Sequence, residues 1–262
     1  MSAETIRIAA VADVHCSKTN QGSLLPIFAA ASEMADVLLI CGDLTDYGFP
    51  EEAHNLLAEL APVKIPIIAV LGNHDYESGN VEEVKKILID GGVRLLDGDS
   101  VEIRGVGFAG VKGFGGGFGR RTLEPWGEDA TKAFVHEAVS EALKLESALA
   151  RLQTPQRVAV LHYAPIEATI EGEPREIFPF LGSGRLEEPL NRYRVAAAFH
   201  GHAHRGSPEG TTSTGIPVYN VAMPLLRRTL SEQVPVRVLE ISVPEPVVAE
   251  YAPPSRRRDD PQ

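Results

Sequence analysis

The chain is poor in cysteine and short of basic charge. Only two of its 262 residues are cysteines, Cys16 and Cys41, and they form no CxxC pair. Neither a disulfide framework nor a thiolate zinc site is indicated, and both are expected as small buried residues at strand ends. Lysine and arginine total 25 against 36 aspartates and glutamates, a formal net charge of −11. A sequence-independent nucleic-acid binder carries a basic footprint, so no nucleic-acid partner is expected. No stretch reaches the ~18 consecutive apolar residues of a membrane span. The N-terminal MSAETIRIAA lacks the basic and apolar regions of a signal peptide. A cytoplasmic location with no membrane partner is the expectation.

What the chain does have is apolar content for a core, 44% of its residues, at a length suited to one large α/β domain. The domain is expected over 1–250, with a Pro-rich, charged tail at 251–262 that reads as disordered. The first third alternates apolar runs with helical stretches: strands at 5–12, 36–41 and 65–71, helices at 23–35, 50–60 and 80–91. Apolar runs between helices mark parallel strands covered on both faces. Residues 93–111 hold short strands with tight turns, which suggests antiparallel pairing. A helix is expected over 127–152 and strands at 157–162, 194–200, 216–222 and 235–243. Residues 163–192 have no clear period and are expected as a long irregular excursion.

Five short motifs fall at the ends of these strands: Asp13-Val14-His15, Gly42-Asp43, Gly72-Asn73-His74-Asp75, His162 and Gly201-His202-Ala203-His204. Ligands of open α/β sheets bind outside the carboxyl ends of the strands. The residue types are the inventory of two adjacent metal ions, which act together on phosphate esters. Asp13 and His15 are two apart, and extended backbone would point both the same way. His202 and His204 repeat that spacing. Asp43 can bridge two cations with its two oxygens. Imidazole, carboxylate and amide oxygen suit Mn, Fe, Zn or Co. His54 and His136 fall on helices and read as solvated, and His200 as structural.

This set of motifs, spanning residues 13 to 204, resembles the calcineurin-like metallophosphoesterase superfamily. The resemblance implies a four-layer α/β/β/α sandwich with two facing mixed sheets. It implies Asp13, His15, Asp43 and His204 as ligands of one divalent metal, and Asp43, Asn73, His162 and His202 as ligands of a second. His74 becomes the general acid or charge stabiliser, with Asp75 orienting it. The expected reaction is hydrolysis of a phosphomonoester or phosphodiester by a metal-bridging hydroxide. The acidic residues of the excursion after His162 would repel a polyanion and favour a small substrate, a nucleotide among the candidates. A protein-interaction scaffold and a nuclease are the competing readings. Scaffold relatives usually lose metal-binding histidines and none is missing here, while nuclease relatives tend to add basic surfaces or caps that this chain lacks.

The substrate side is expected in two loops. Residues 113–121 form a Gly-rich, flexible stretch whose Phe114 and Phe118 could stack on a base and whose Arg120 and Arg121 could grip phosphate. The excursion after His162 carries Tyr163 and Arg185. Phe114, Arg120, Tyr163 and Arg185 are the substrate candidates.

Overall fold

A computed structural model of the protein describes residues 4–231 and 233–244. The tail expected at 251–262 lies outside the described residues. The first third follows its pattern: β1 (Glu4–Val11), α1 (Leu25–Met34), β2 (Val37–Cys41), α2 (Pro50–Glu59), β3 (Ile67–Val70), α3 (Val81–Asp90) and β4 (Arg94–Leu95). Then come β5 (Asp99–Ile103), β6 (Val106–Val111), α4 (Asp129–Arg151), β7 (Gln156–Leu161), α5 (Phe178–Leu181), α6 (Glu187–Tyr193), β8 (Ala197–His200), β9 (Glu209–Thr211), β10 (Pro217–Asn220), α7 (Met223–Thr229) and β11 (Arg237–Val243).

The strands make two mixed sheets, ordered β11-β1-β2-β3-β4 and β5-β6-β7-β8-β10-β9. They face each other. Val106 and Phe108 of β6, Val158 and Val160 of β7, and Ala197 and Phe199 of β8 pack into one core with β1, β2 and β3. The alternate residues of the same strands, Ala109, Ala159, Leu161 and Ala198, turn outward to Leu145, Ala148 and Leu149 of α4 and Leu190 of α6, as the two-residue period of a strand requires. Phe28 of α1, Leu56 of α2, and Val84 and Leu88 of α3 cover the other face of the first sheet. The result is the four-layer sandwich expected. No helix among the described residues is long and apolar enough to cross a membrane.

Register positions the site. Val11 of β1 pairs with Ile40 of β2, and Cys41 of β2 with Val70 of β3, so the loops that follow leave the sheet side by side. In the second sheet Val111 pairs with Leu161, and Val160 with Phe199. The sheets are stitched at this end, where Ala12 N–H donates to the Val221 carbonyl at 2.8 Å and Met223 N–H donates to the Ala12 carbonyl at 2.9 Å.

Four elements depart from the sequence reading. Of the short strands at 93–111 only β5 and β6 pair antiparallel, while β4 joins the first sheet parallel to β3. The excursion 163–192 is not irregular but a series of 3-10 turns with α5 and α6. β9, only three residues long, exists by pairing with β10, and so short a strand has no period to read. α7 starts with a proline in its first turn, a helix-start signal that the adjoining strand pattern masked.

Phe108 is fully buried between the sheets. Phe108→Ala is expected to cost about 3–5 kcal/mol, read as a lower urea midpoint at unchanged slope.

Candidate metal centre

The first motif does not converge by strand alternation. β1 ends at Val11, and Asp13 (φ 55°) and His15 (φ 42°) both take left-handed backbone, as do Asp43 (φ 48°) and His202 (φ 68°). Non-glycine residues seldom adopt this region, though Asp and His tolerate it better than most, and strain of this kind gathers at functional sites. Hydrogen bonds hold the turns: Asp13 N–H donates to Gly42 O at 3.0 Å and His15 N–H to Asp43 O at 3.1 Å. The extended i, i+2 geometry expected for Asp13 and His15 is therefore corrected. It also fails for His202 and His204, which go to different groups.

One group joins Asp13, His15 and His204, and another joins Asp43, His162 and His202, each offering ligand atoms within 4.8 Å of one another. His204 Nε2 lies 2.9 Å from Asp13 Oδ1. Asn73 Oδ1 stands 3.0 Å from His162 Nε2, beside the second group. Asp43 lies between the two. Its Oδ2 is 3.8 Å from His15 Nε2 and its Oδ1 is 3.4 Å from His162 Nε2.

Two glycines set how closely the loops approach. A Cβ on Gly72 would sit 2.1 Å from Asp43 Oδ1, and one on Gly201 would sit 2.3 Å from Asp13 Oδ2. Either methyl would displace a carboxylate.

The environment prepares these groups as donors. Burial opposes ionisation of Asp13, but the His204 hydrogen bond and the surrounding imidazoles outweigh it and pull its pKa down to about 2. Burial, reinforced by His162, lowers His202 to about 3 and keeps it neutral. His162 Nδ1 faces the Cys41 carbonyl at 3.0 Å and His202 Nε2 faces the Phe180 carbonyl at 3.1 Å. Such bonds fix the tautomer of a metal-ligating histidine and leave its other nitrogen free. Buried His15 Nδ1 has no hydrogen-bond partner. Buried carboxylates, imidazoles and an amide oxygen together suit borderline divalent cations. The thiols stay out of it: burial, then Glu59 and Glu52, raise Cys16 to about 12, and burial, then Asp13, raise Cys41 well above its ordinary value.

His74 Nδ1 lies 2.8 Å from the Asp46 carbonyl and 3.3 Å from Glu77 Oε1. Burial disfavours its charged form, but the Asp46 hydrogen bond and the charges of Asp43, Glu77 and Asp46 win, and its pKa is raised. Asp75 does not orient the His74 ring. It is fully buried and accepts from Gly72 N at 2.8 Å, Leu44 N at 3.2 Å, Thr45 N at 2.8 Å and Thr45 Oγ1 at 2.6 Å. It clamps the loop after β3 to the loop after β2, although burial and the Asp43 charge push its pKa up to about 6.

Asp46 is a residue that the sequence reading misses. Its Oδ1 is 3.4 Å from His15 Nδ1, and the two join His74 in a third group of potential ligands. Its one signal is its place three residues after Asp43, and it lies beyond the strand end that marks the motifs. His200 is structural as expected, bonded to Thr169 Oγ1 at 2.7 Å, and His54 and His136 are exposed.

Of the substrate candidates, Tyr163 is at the centre, its ring 4.5 Å from that of His202. Phe114 packs behind it, on Phe134 at 4.8 Å and Tyr163 at 5.8 Å. Arg185 gives its guanidinium to the Leu123 carbonyl at 3.0 Å and to Glu124, so it anchors a loop. Arg120 lies exposed on a 3-10 turn. The Gly-rich stretch is not a flexible loop. Gly113 and residues 115–118 are buried, and Gly116 N–H donates to Pro179 O at 2.7 Å and Gly117 N–H to Gly182 O at 2.9 Å. Its glycines let two backbones pack together.

A family model described as calcineurin-like phosphoesterase matches residues 6–206. The chain belongs to that family. It is a phosphoesterase, of a family that works with divalent metals. No curated protein sequence matches it. Among solved structures, phosphopantetheinyl hydrolase (PptH) from Mycobacterium tuberculosis aligns at TM-score 0.64 with 18% identity, over 94% of this chain and 98% of that one. TT1561 of Thermus thermophilus aligns at 0.52 with 14% identity, over 92% and 100%. A putative 5'-nucleotidase from Staphylococcus aureus aligns at 0.50 with 16% identity, over 83% and 48%. At these identities the likeness establishes the fold.

Asp75→Ala is expected to leave buried donors on both loops unsatisfied. Stability should fall by about 2–4 kcal/mol and bound metal should decrease, measured by urea denaturation and metal analysis of the same sample.

Proposed function

We propose that the protein hydrolyses small phosphate esters at a dinuclear centre. Asp13, His15, Asp43 and His204 would hold one cation, and Asp43, Asn73, His162 and His202 the other. The observation that carries this reading is the placement of Asp43, with one oxygen toward His15 and the other toward His162. When bound, two such cations lower the pKa of a water between them and offset charge on the phosphoryl oxygens.

The chain's own groups supply the rest. His74, with Nδ1 engaged by the Asp46 carbonyl, keeps Nε2 free to protonate the leaving oxygen or to screen its charge. Asp46 would act as a positioning residue, with its carbonyl on His74 Nδ1 and its carboxylate facing His15 Nδ1 at 3.4 Å. Tyr163, buried against His202, walls the centre and excludes water. The formal net charge of −11 supports a compact substrate over a polyanion. The names of two structural neighbours, a phosphopantetheinyl hydrolase and a putative 5'-nucleotidase, are compatible with small esters.

Asp43→Asn is expected to remove most bound metal and most turnover, checked by metal analysis and by hydrolysis of p-nitrophenyl and bis-p-nitrophenyl phosphate with manganese. Retention of both metal and turnover would sink the bridging role. The rate ratio of the two esters reports monoester or diester preference. No turnover of either, with metal bound, would favour a scaffold.

His74→Ala should leave metal content near normal while lowering kcat by about 10²–10⁴. Asp46→Asn should weaken metal binding by about 10–100-fold, followed by titration with manganese.

A further inference from the structure

Lys112 immediately follows β6 and adjoins the metal centre through its backbone. Its carbonyl accepts from the N–H groups of both His162 and Tyr163, each at 3.0 Å. Its side chain enters a box of three aromatic rings. Nζ lies 4.8 Å from the ring centre of Phe114, 5.3 Å from that of Tyr163 and 5.7 Å from that of Tyr76. Tyr163 in turn touches the ring of His202, and Tyr76 follows His74 by two residues.

Burial lowers the pKa of this lysine, and Glu141, Glu137 and Asp97 offset part of that from a distance. No carboxylate lies within 4 Å of Nζ among the described residues, although acids outnumber bases 36 to 25 in the sequence. Glu141, the buried acid nearest at hand, is already committed. Its Oε2 accepts from Gly113 N at 2.8 Å and its Oε1 from Lys144 Nζ at 2.7 Å. Among the described residues Lys112 Nζ donates only to the Gly113 carbonyl at 2.9 Å, so two of its three donors have no oxygen or nitrogen partner there. Here the rings attract the cation but leave its hydrogen-bonding capacity unspent, and the side chain is still partly accessible.

We propose that Lys112, in its box of Tyr76, Phe114 and Tyr163, binds a second anionic group on the organic half of the substrate. The preferred ester then has two negative ends, a scissile phosphate at the metals and a carboxylate or further phosphate at Lys112, with an apolar or planar spacer against the rings. This deepens the phosphoesterase reading and rests on it. An unpaired cation walled by aromatics selects an anion joined to apolar structure over a free, strongly hydrated one.

The test compares phenylphosphonate, 4-carboxyphenylphosphonate and 1,4-phenylenediphosphonate, none of which is hydrolysed, by calorimetry on the manganese-loaded protein. The doubly anionic probes are expected to bind about tenfold tighter than phenylphosphonate, as a charge-assisted hydrogen bond allows. Which of the two gains more distinguishes carboxylate from phosphate. Lys112→Met should erase the preference and Lys112→Arg should keep most of it. Circular dichroism of each variant, and its affinity for phenylphosphonate, identify a folding failure, in which case the wild-type and Lys112→Arg ratios decide. Equal affinity or no binding in the wild type, or a preference that survives Lys112→Met, overturns the proposal. Turnover of phenyl phosphate is measured on the same preparation. A wild type that prefers the doubly anionic probes without turning over phenyl phosphate would keep the Lys112 site and reject the hydrolytic reading.

Discussion

The position of the Asp43 carboxylate is the constraint on which the site depends. It must be buried and shared between two sets of donors, and each requirement is met by a neighbour. β2 sits in mid-sheet with β1 and β3 on either side, so its end is flanked by both adjoining motif loops. The left-handed turn at Asp43 directs the carboxylate away from the strand axis, and His74 N–H donates to its Oδ1 at 2.9 Å. Gly72 yields the space that carboxylate occupies. Asp75, fully buried, fixes the separation of the two loops.

The two sheets contribute differently. Loops of the first sheet bring the carboxylates, the amide and one imidazole: Asp13, Asp43, Asn73 and His15. Loops of the second bring His162, His202 and His204, whose rings are oriented by carbonyls of Cys41 and Phe180 and by Asp13. The carboxylates are thus concentrated on one side and most of the imidazoles on the other. The aromatic wall of Tyr163, Phe114 and Phe134 stands on the imidazole side.

Much of this is legible in the sequence, for identifiable reasons. Apolar runs without alternation, such as Val37–Cys41, reveal strands covered on both faces, and motif residues at their ends reveal the face that carries the site. The geometry within a motif is not legible. The spacing of Asp13 and His15 is two whether the backbone is extended or left-handed, and only tertiary hydrogen bonds decide. The glycines at 113–119 mislead because a glycine that permits motion and one that permits close packing are the same letter. Arg185 misleads because the partner that claims its guanidinium, the Leu123 carbonyl, is remote in sequence and carries no side-chain signal. Tyr163 is accessible to reasoning because it adjoins His162 in the chain. Asp46 and Lys112 are not, because their meaning comes from what lies across the cleft.

Asp13 and His204 are 191 residues apart yet in direct contact, and both proposed ligand sets draw on both halves of the sandwich. A cation held there is therefore also a clasp across the seam between the sheets. Its affinity includes the work of closing that seam, and the seam is in turn tightened by the ion. Loss of metal should be felt first as a gap opening at this end of the molecule, while the body of the sandwich, packed around Phe108 and Ile8, stays shut.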